Sequence, residues 1–210
     1  RTMIECQIRT WEVLDPKVLD LLVQVKREDF VPESYRKLAF ADFHIPLGFG
    51  ESMWTPKQEA RILQSLDLQP TDRVLEIGTG SGYLTALLAA ASAQVLSVEI
   101  VEAFHNSARQ KLQAHGVNNA TLALGDAAQG WSKGAPYDVI VVTGSLPVLP
   151  DTFKTSLAIG GRLVAIVGTA PVMQAKRFLR VADHAFEEDD LFETDIAPLQ
   201  NAQTLPAFVF

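Results

Sequence analysis

Apolar positions along the chain recur in two rhythms, and the switching between them predicts its elements. Short apolar runs at Val74-Leu75-Glu76-Ile77, Val95-Leu96-Ser97-Val98 and Tyr137 to Val142 have the composition of strands buried on both faces of a parallel sheet. Helical stretches at 81–91, 101–115 and 150–158 separate them, with further strands at 120–124 and 161–168. Such alternation predicts an α/β fold with a doubly wound, mostly parallel sheet, whose ligands bind at the carboxyl ends of the strands. Residues 172–182 and 190–197 read as an antiparallel edge pair, and the acidic run Glu187 to Asp190 as the turn between them.

Ahead of the sheet the rhythm is helical. Ile4, Ile8 and Trp11 share one stripe, and Val18, Leu21, Leu22 and Val25 share another that begins after Asp15-Pro16, a cap followed by proline at the first helical position. Residues 33–41 read as a short helix, and 57–68 as a longer one that turns Ala60, Leu63 and Leu66 inward. Between them, 42–56 form an irregular segment rich in glycine, proline and aromatic residues, and loops of this length are uncommon unless they bind something. One domain is expected, comprising the N-terminal helices and this loop (1–70), an α/β core (71–197) and a tail (198–210) that ends in the apolar Leu205-Pro206-Ala207-Phe208-Val209-Phe210.

The candidate chemistry begins where the first sheet strand stops. In Glu76-Ile77-Gly78-Thr79-Gly80-Ser81-Gly82, three alternate glycines let the backbone turn sharply and bring its N–H groups close to a ligand. The dinucleotide fingerprint needs a glycine at the sixth position, which here is Tyr83, and a phosphate loop needs a lysine that the stretch lacks. A nucleophile elbow needs serine at the centre, which is Gly80. Glu76 beside the turn would repel a pyrophosphate and attract an ammonium or sulfonium. Glu99, at the end of the next strand, stands where an α/β nucleotide site places the acid that holds the ribose hydroxyls. Together the two acids point to S-adenosylmethionine.

Composition narrows the partners. The formal charge is −7, with no run of lysine or arginine, which argues against nucleic acid. Cys6 is the lone cysteine and the four histidines are scattered, so neither an intrachain disulfide nor a metal site is expected. No secretory leader or membrane-length apolar run is read, and a cytoplasmic monomer or homodimer is expected, acting on a protein, peptide or small carboxylate.

The chain resembles the protein-L-isoaspartate (D-aspartate) O-methyltransferases over nearly its whole length. The resemblance runs through Gln7-Ile8-Arg9, Arg27-Glu28-Asp29-Phe30-Val31-Pro32, Gly48-Phe49-Gly50, Leu75 to Tyr83, Gly125-Asp126, Ala135-Pro136-Tyr137-Asp138 and Gly160-Gly161-Arg162-Leu163-Val164. It implies a Rossmann-like methyltransferase fold, S-adenosylmethionine as cofactor, and methyl transfer to a carboxylate. It also implies that Glu76, Gly78, Thr79, Gly80, Ser81, Gly82 and Glu99 bind the cofactor and that Asp126 receives its adenine amino group.

At the acceptor end the chain departs from the family pattern Gly-x-Gly-Gln-Thr-Ile-Ser-Gln-Pro. It reads Gly48-Phe49-Gly50-Glu51-Ser52-Met53-Trp54-Thr55-Pro56, so Trp54 stands in place of the serine and Glu51 in place of the first glutamine. Trp54, Ser52 and Thr55 are the candidates for the acceptor-facing role. Ser52 or Thr55 would supply a hydroxyl, whereas Trp54 would stack on a flat acceptor or pack into the core. After the fourth strand, Gly144-Ser145 replaces two alanines, which makes Ser145 a further candidate for the acceptor pocket. A cofactor-binding module without catalysis and a methyltransferase of another small acceptor are the alternatives, and a nicotinamide-dependent oxidoreductase is a weaker one.

Overall fold

The computed structural model describes residues 12–204 together with Met3, Ile8 and Thr10. The expected stripe through Ile4 and Trp11 and the apolar end at 205–210 lie outside the described residues. Helix α1, Pro16–Gln24, starts as the sequence implies: Asp15 caps it by accepting the Lys17 amide at 2.9 Å, and proline fills its first turn. The segment expected as a helix at 33–41 is a 3-10 turn over Glu33–Leu38. The loop that follows contains a small hairpin, β1 (Pro46–Gly48) and β2 (Glu51–Ser52), before helix α2 (Pro56–Leu66).

The core alternates β3 (Arg73–Ile77), α3 (Tyr83–Ala91), β4 (Gln94–Glu99), α4 (Glu102–Ala114), β5 (Ala120–Leu124), β6 (Tyr137–Leu146), α5 (Asp151–Thr155) and β7 (Leu157–Thr169). Strands β8 (Val172–Ala182) and β9 (Ala185–Thr194) complete a seven-stranded sheet of order β5-β4-β3-β6-β7-β8-β9. The pairs among β3 to β7 are parallel, and β8 and β9 add antiparallel to β7. Chain order reverses on either side of β3, which is where doubly wound sheets open a crevice.

Period-two alternation sorts the strand residues onto two cores. Val74, Val139, Val141, Val164 and Ile166 join the core that contains α1, α2 and α3, whereas Leu75, Ile77, Ile140, Val142, Leu163 and Ala165 join Phe153 of α5 in the other. The same alternation puts Glu76 on the α3 side, beneath Thr85.

Three expectations are corrected. The acidic run Glu187 to Asp190 is not a turn but the middle of β9, because Lys176 and Arg177 of β8 draw it into cross-strand pairs: Lys176 with Glu188 and with Asp190 at 2.9 Å, and Arg177 with Asp189 at 2.6 Å. The turn lies at Asp183 and His184. The helix expected at 150–158 spans only Asp151–Thr155, since Leu157 already pairs with Tyr137 in the sheet. Helix α3 starts at Tyr83 rather than Ser81, because Gly82 caps it in the left-handed region at φ 84°.

Candidate functional site

Parallel register brings the ends of three strands level. Ile77 pairs with Val98 on one side and Val142 on the other, and the Gly78 amide donates to the Val98 carbonyl at 2.8 Å. A cavity forms there, walled by Gly78 to Ser81 of the glycine turn, by Glu99 and Asp126 at the ends of β4 and β5, by Thr143 of β6, by the β1–β2 hairpin, and by Leu199 and Gln200 from beyond β9, whereas Gly82, expected at the cofactor, packs instead against Ala108 of α4. The turn depends on its first glycine. A Cβ on Gly78 would fall 2.2 Å from Thr143 Oγ1, which donates to the Ile77 and Gly78 carbonyls at 2.8 Å each.

Glu99 is held by backbone at both oxygens, with Oε2 accepting the Gly80 amide and Oε1 the Val101 amide, each at 2.9 Å. Asp126 is held similarly: Oδ1 accepts the Ala128 amide at 2.9 Å and Oδ2 the side-chain amide of Asn201 at 2.8 Å. Thr79 is less a ligand group than a strut, since its hydroxyl lies 2.5 Å from Ser97 Oγ, which donates to Glu76 Oε2 at 2.7 Å. Thr85 donates to the same oxygen at 2.5 Å, while Glu76 Oε1 is buried with no hydrogen-bond partner among the described residues. Burial pushes the Glu76 carboxyl up to about 8 despite the two hydroxyl donors. A buried orphan acceptor beside a site is a costly feature unless a ligand completes it.

The acceptor end separates the three candidates of the loop. Trp54 lines the cavity and belongs to the core at 6% exposure, and its Nε1 has no partner among the described residues. Ser52 is exposed and borders both this cavity and a second one lined by His44, Met173, Asp195 and Pro198. Thr55 is corrected: its hydroxyl accepts the Gln58 amide at 3.3 Å while Gln58 returns the bond to the Thr55 amide at 3.0 Å, a capping box that starts α2. Moving it to an acceptor would uncap the helix. Ser145 lies at the second cavity and not at the first. It is fully buried, with its hydroxyl donating to the Ile196 carbonyl at 3.2 Å.

The site uses residues that sequence reasoning missed. Arg27 is 1% exposed, pairs with Glu59, donates to the carbonyls of Ala39 (2.6 Å) and Trp54 (2.7 Å), and lies over the Tyr83 ring at 5.2 Å. It thereby fixes the backbone from which the Trp54 ring hangs. Glu59 lines the cavity, and its burial raises its carboxyl to about 7 against the opposing pull of Arg27. A signal for Glu59 existed: it shares the inward stripe of α2 with Leu63 and Leu66, and an acid on an apolar stripe is rarely idle.

Five carboxyl groups (Glu51, Glu59, Glu76, Glu99 and Asp126) line the cavity, two of them (Glu59 and Glu76) held partly protonated by burial, and no lysine or arginine does so among the described residues. That lining suits a cation carrying a nucleoside and repels a pyrophosphate, which disfavours a nicotinamide dinucleotide. Fold and site together define an S-adenosylmethionine-dependent methyltransferase of the Rossmann-like class.

Comparison with known proteins places it further. The family model described as Protein-L-isoaspartate(D-aspartate) O-methyltransferase (PCMT) matches residues 1–204, and the chain belongs to this family. Protein-L-isoaspartate O-methyltransferase 1 of Rhodopseudomonas palustris is 40% identical over 94% of this chain and 81% of its own length. Protein-L-isoaspartate O-methyltransferase 2 of Pelobacter propionicus is 39% identical over 96% and 90%. In fold, the chain matches a Plasmodium falciparum protein assigned to the same activity and crystallised with S-adenosyl-L-homocysteine, with a TM-score of 0.80 at 20% identity, covering 95% of this chain and 97% of that one.

Proposed function

We propose that the chain methylates a carboxylate oxygen on a protein or peptide, of the isoaspartyl type its relatives' names describe, and that the acceptor enters beside Ser52. The observation that carries this reading is a single cavity running from Asp126 and Glu99, past the glycine turn and the unpartnered Glu76 Oε1, to Glu51 and Ser52. S-adenosylmethionine supplies an electrophilic methyl group on a sulfonium. Glu99 would receive the ribose hydroxyls, Asp126 the adenine amino group, and Glu76 the cationic end, while Gly78 to Ser81 of the turn line the same cavity.

A carboxylate acceptor is already ionised at neutral pH, so the chain needs no general base at the acceptor end. Its task there is alignment and exclusion of water, which in well-oriented systems is worth on the order of 7–11 kcal/mol. The second cavity, across Ser52, offers room for the acceptor's flanking backbone, and His44, held to the Met53 carbonyl at 3.2 Å, lines its near wall. Trp54 acts as packed wall rather than as a substitute for the serine hydroxyl.

The test uses methyl-labelled S-adenosylmethionine with an isoaspartyl peptide and its aspartyl counterpart. Base-labile label in the isoaspartyl peptide alone is expected. Cofactor binding without any base-labile product would overturn the acceptor assignment.

A further inference from the structure

Glu51 of the β1–β2 hairpin and Gly144-Ser145 at the end of β6, far apart in sequence, meet at one short segment beyond β9. Ser145 grips that segment with three bonds: its amide donates to the Ala197 carbonyl at 3.0 Å, its carbonyl accepts the Leu199 amide at 2.8 Å, and its hydroxyl donates to the Ile196 carbonyl. Ser145 and Pro198 form a parallel bridge, so the segment lies along the end of β6 like an added half-strand. Gly144 makes the room, since a Cβ there would sit 2.9 Å from both the Cα and the amide nitrogen of Leu199. From this anchorage Leu199 and Gln200 reach the cavity wall.

The next two side chains each carry an amide to a carboxylate of the site. Gln200 donates to Glu51 Oε1 at 3.1 Å at the acceptor end, and Asn201 donates to Asp126 Oδ2 at 2.8 Å at the end assigned to adenine. Asn201 adopts φ 62°, a conformation asparagine tolerates better than most residues, and the Ala202 amide closes the turn on the Leu199 carbonyl at 3.0 Å. Glu51 would otherwise face an incoming carboxylate with nothing to orient it. Asp126, with one oxygen tied to backbone, would otherwise be free to rotate its second oxygen away.

We infer that residues 196–201 are a working wall of the site, in which Asn201 is a positioning residue for cofactor recognition through Asp126 and Gln200 a specificity-determining residue for the acceptor through Glu51. One segment therefore couples the two ends of the cavity. The inference rests on the functional reading above for what occupies each end, but its cofactor arm is read by binding alone and stands or falls without any acceptor being methylated.

The test uses the full chain and titrates S-adenosyl-L-homocysteine by calorimetry, alongside melting temperature and acceptor KM. Asn201→Ala should raise the cofactor Kd about three- to tenfold, the net worth of one ordinary hydrogen bond at an exposed position, with acceptor KM little changed. Asn201→Asp, which sets two carboxylates together, should be worse, and Asn201→Gln should recover part of the loss. Gln200→Ala should leave the cofactor Kd in place and change acceptor KM by a similar factor. Gly144→Ala, which pushes Leu199 aside, should move both constants at once in a protein that still melts cooperatively. Wild-type Kd in Asn201→Ala, or Kd changes that only follow the melting temperature across the set, would overturn the inference. An unchanged KM in Gln200→Ala would remove the acceptor arm, and isoaspartyl peptides that are never methylated would sink the acceptor assignment while leaving the cofactor arm to its own result.

Discussion

Glu76 offers the sharpest test of how the cavity binds a cation, because replacing it with glutamine changes charge and little else. Its Oε2 accepts hydroxyls from Thr85 and Ser97, and a glutamine carbonyl can accept both, leaving its amide where Oε1 has no partner. Burial holds the wild-type carboxyl at about 8, so near neutral pH it is largely protonated in the free protein. A cationic ligand favours the ionised form, and binding must then release a proton. Each pH unit below the raised value costs about 1.4 kcal/mol, so affinity should fall roughly tenfold between about pH 7.5 and about pH 6.5, a range in which an α-amino group stays largely charged. Calorimetry of S-adenosylmethionine in buffers of different ionisation enthalpy would report the released proton directly. Glu76→Gln should bind more weakly at the upper end of the range and show a shallower slope, the remainder belonging to Glu59. S-adenosyl-L-homocysteine, which keeps the ammonium but lacks the sulfonium, tells which cation Glu76 serves. The linkage to stability has a definite sign. The folded carboxyl holds its proton more tightly than the unfolded one, at 4.5, so the ligand-free protein loses stability as pH rises from 4.5 towards about 8. Glu59, raised to about 7, contributes in the same direction, so the comparison is between the wild-type slope and the shallower one of Glu76→Gln. Affinity independent of pH in both proteins, with no proton released, would refute the role given to Glu76.

Glu99→Ala should weaken S-adenosyl-L-homocysteine binding by well over tenfold, about 2 kcal/mol or more, because it removes both the ribose acceptor and the anchors of the Gly80 and Val101 amides; an unchanged Kd in a folded protein would refute the assignment. Arg27→Met leaves Glu59 buried without its partner and frees the Ala39 and Trp54 carbonyls, and should cost about 3–5 kcal/mol in chemical denaturation; adding Glu59→Gln should recover part of it. Glu51→Gln removes a negative charge at the acceptor end and should lower KM for isoaspartyl peptides severalfold, by roughly 1 kcal/mol in a partly exposed setting. Pairing it with Trp54→Ser tests whether the indole also takes up acceptor space, in which case the double variant should gain in kcat/KM beyond the single one.

The placement of Glu76, of the turn through Gly78 to Gly82 and of Glu99 is legible in the sequence because each feature is local: an apolar run ends, glycines allow the turn, and an acid closes the next strand. Strand alternation likewise carried the parallel sheet, since a run such as Tyr137 to Val142 has no stable place outside the middle of one. The acidic run in β9 reads as a turn by composition, and only Lys176 and Arg177 opposite it make it a strand, because pairing across strands is not a local property. Thr55 was ambiguous for a related reason. A threonine hydroxyl before proline suits both a cap and a site, and only the position of Gln58 on the formed helix decides between them. The Arg27–Glu59 pair, the orphan oxygen of Glu76 and the segment that ties Gln200 to Glu51 and Asn201 to Asp126 join residues separated by dozens of positions. Their meaning depends on burial and approach, quantities that exist only once the sheet has brought the strand ends together and excluded water from between them.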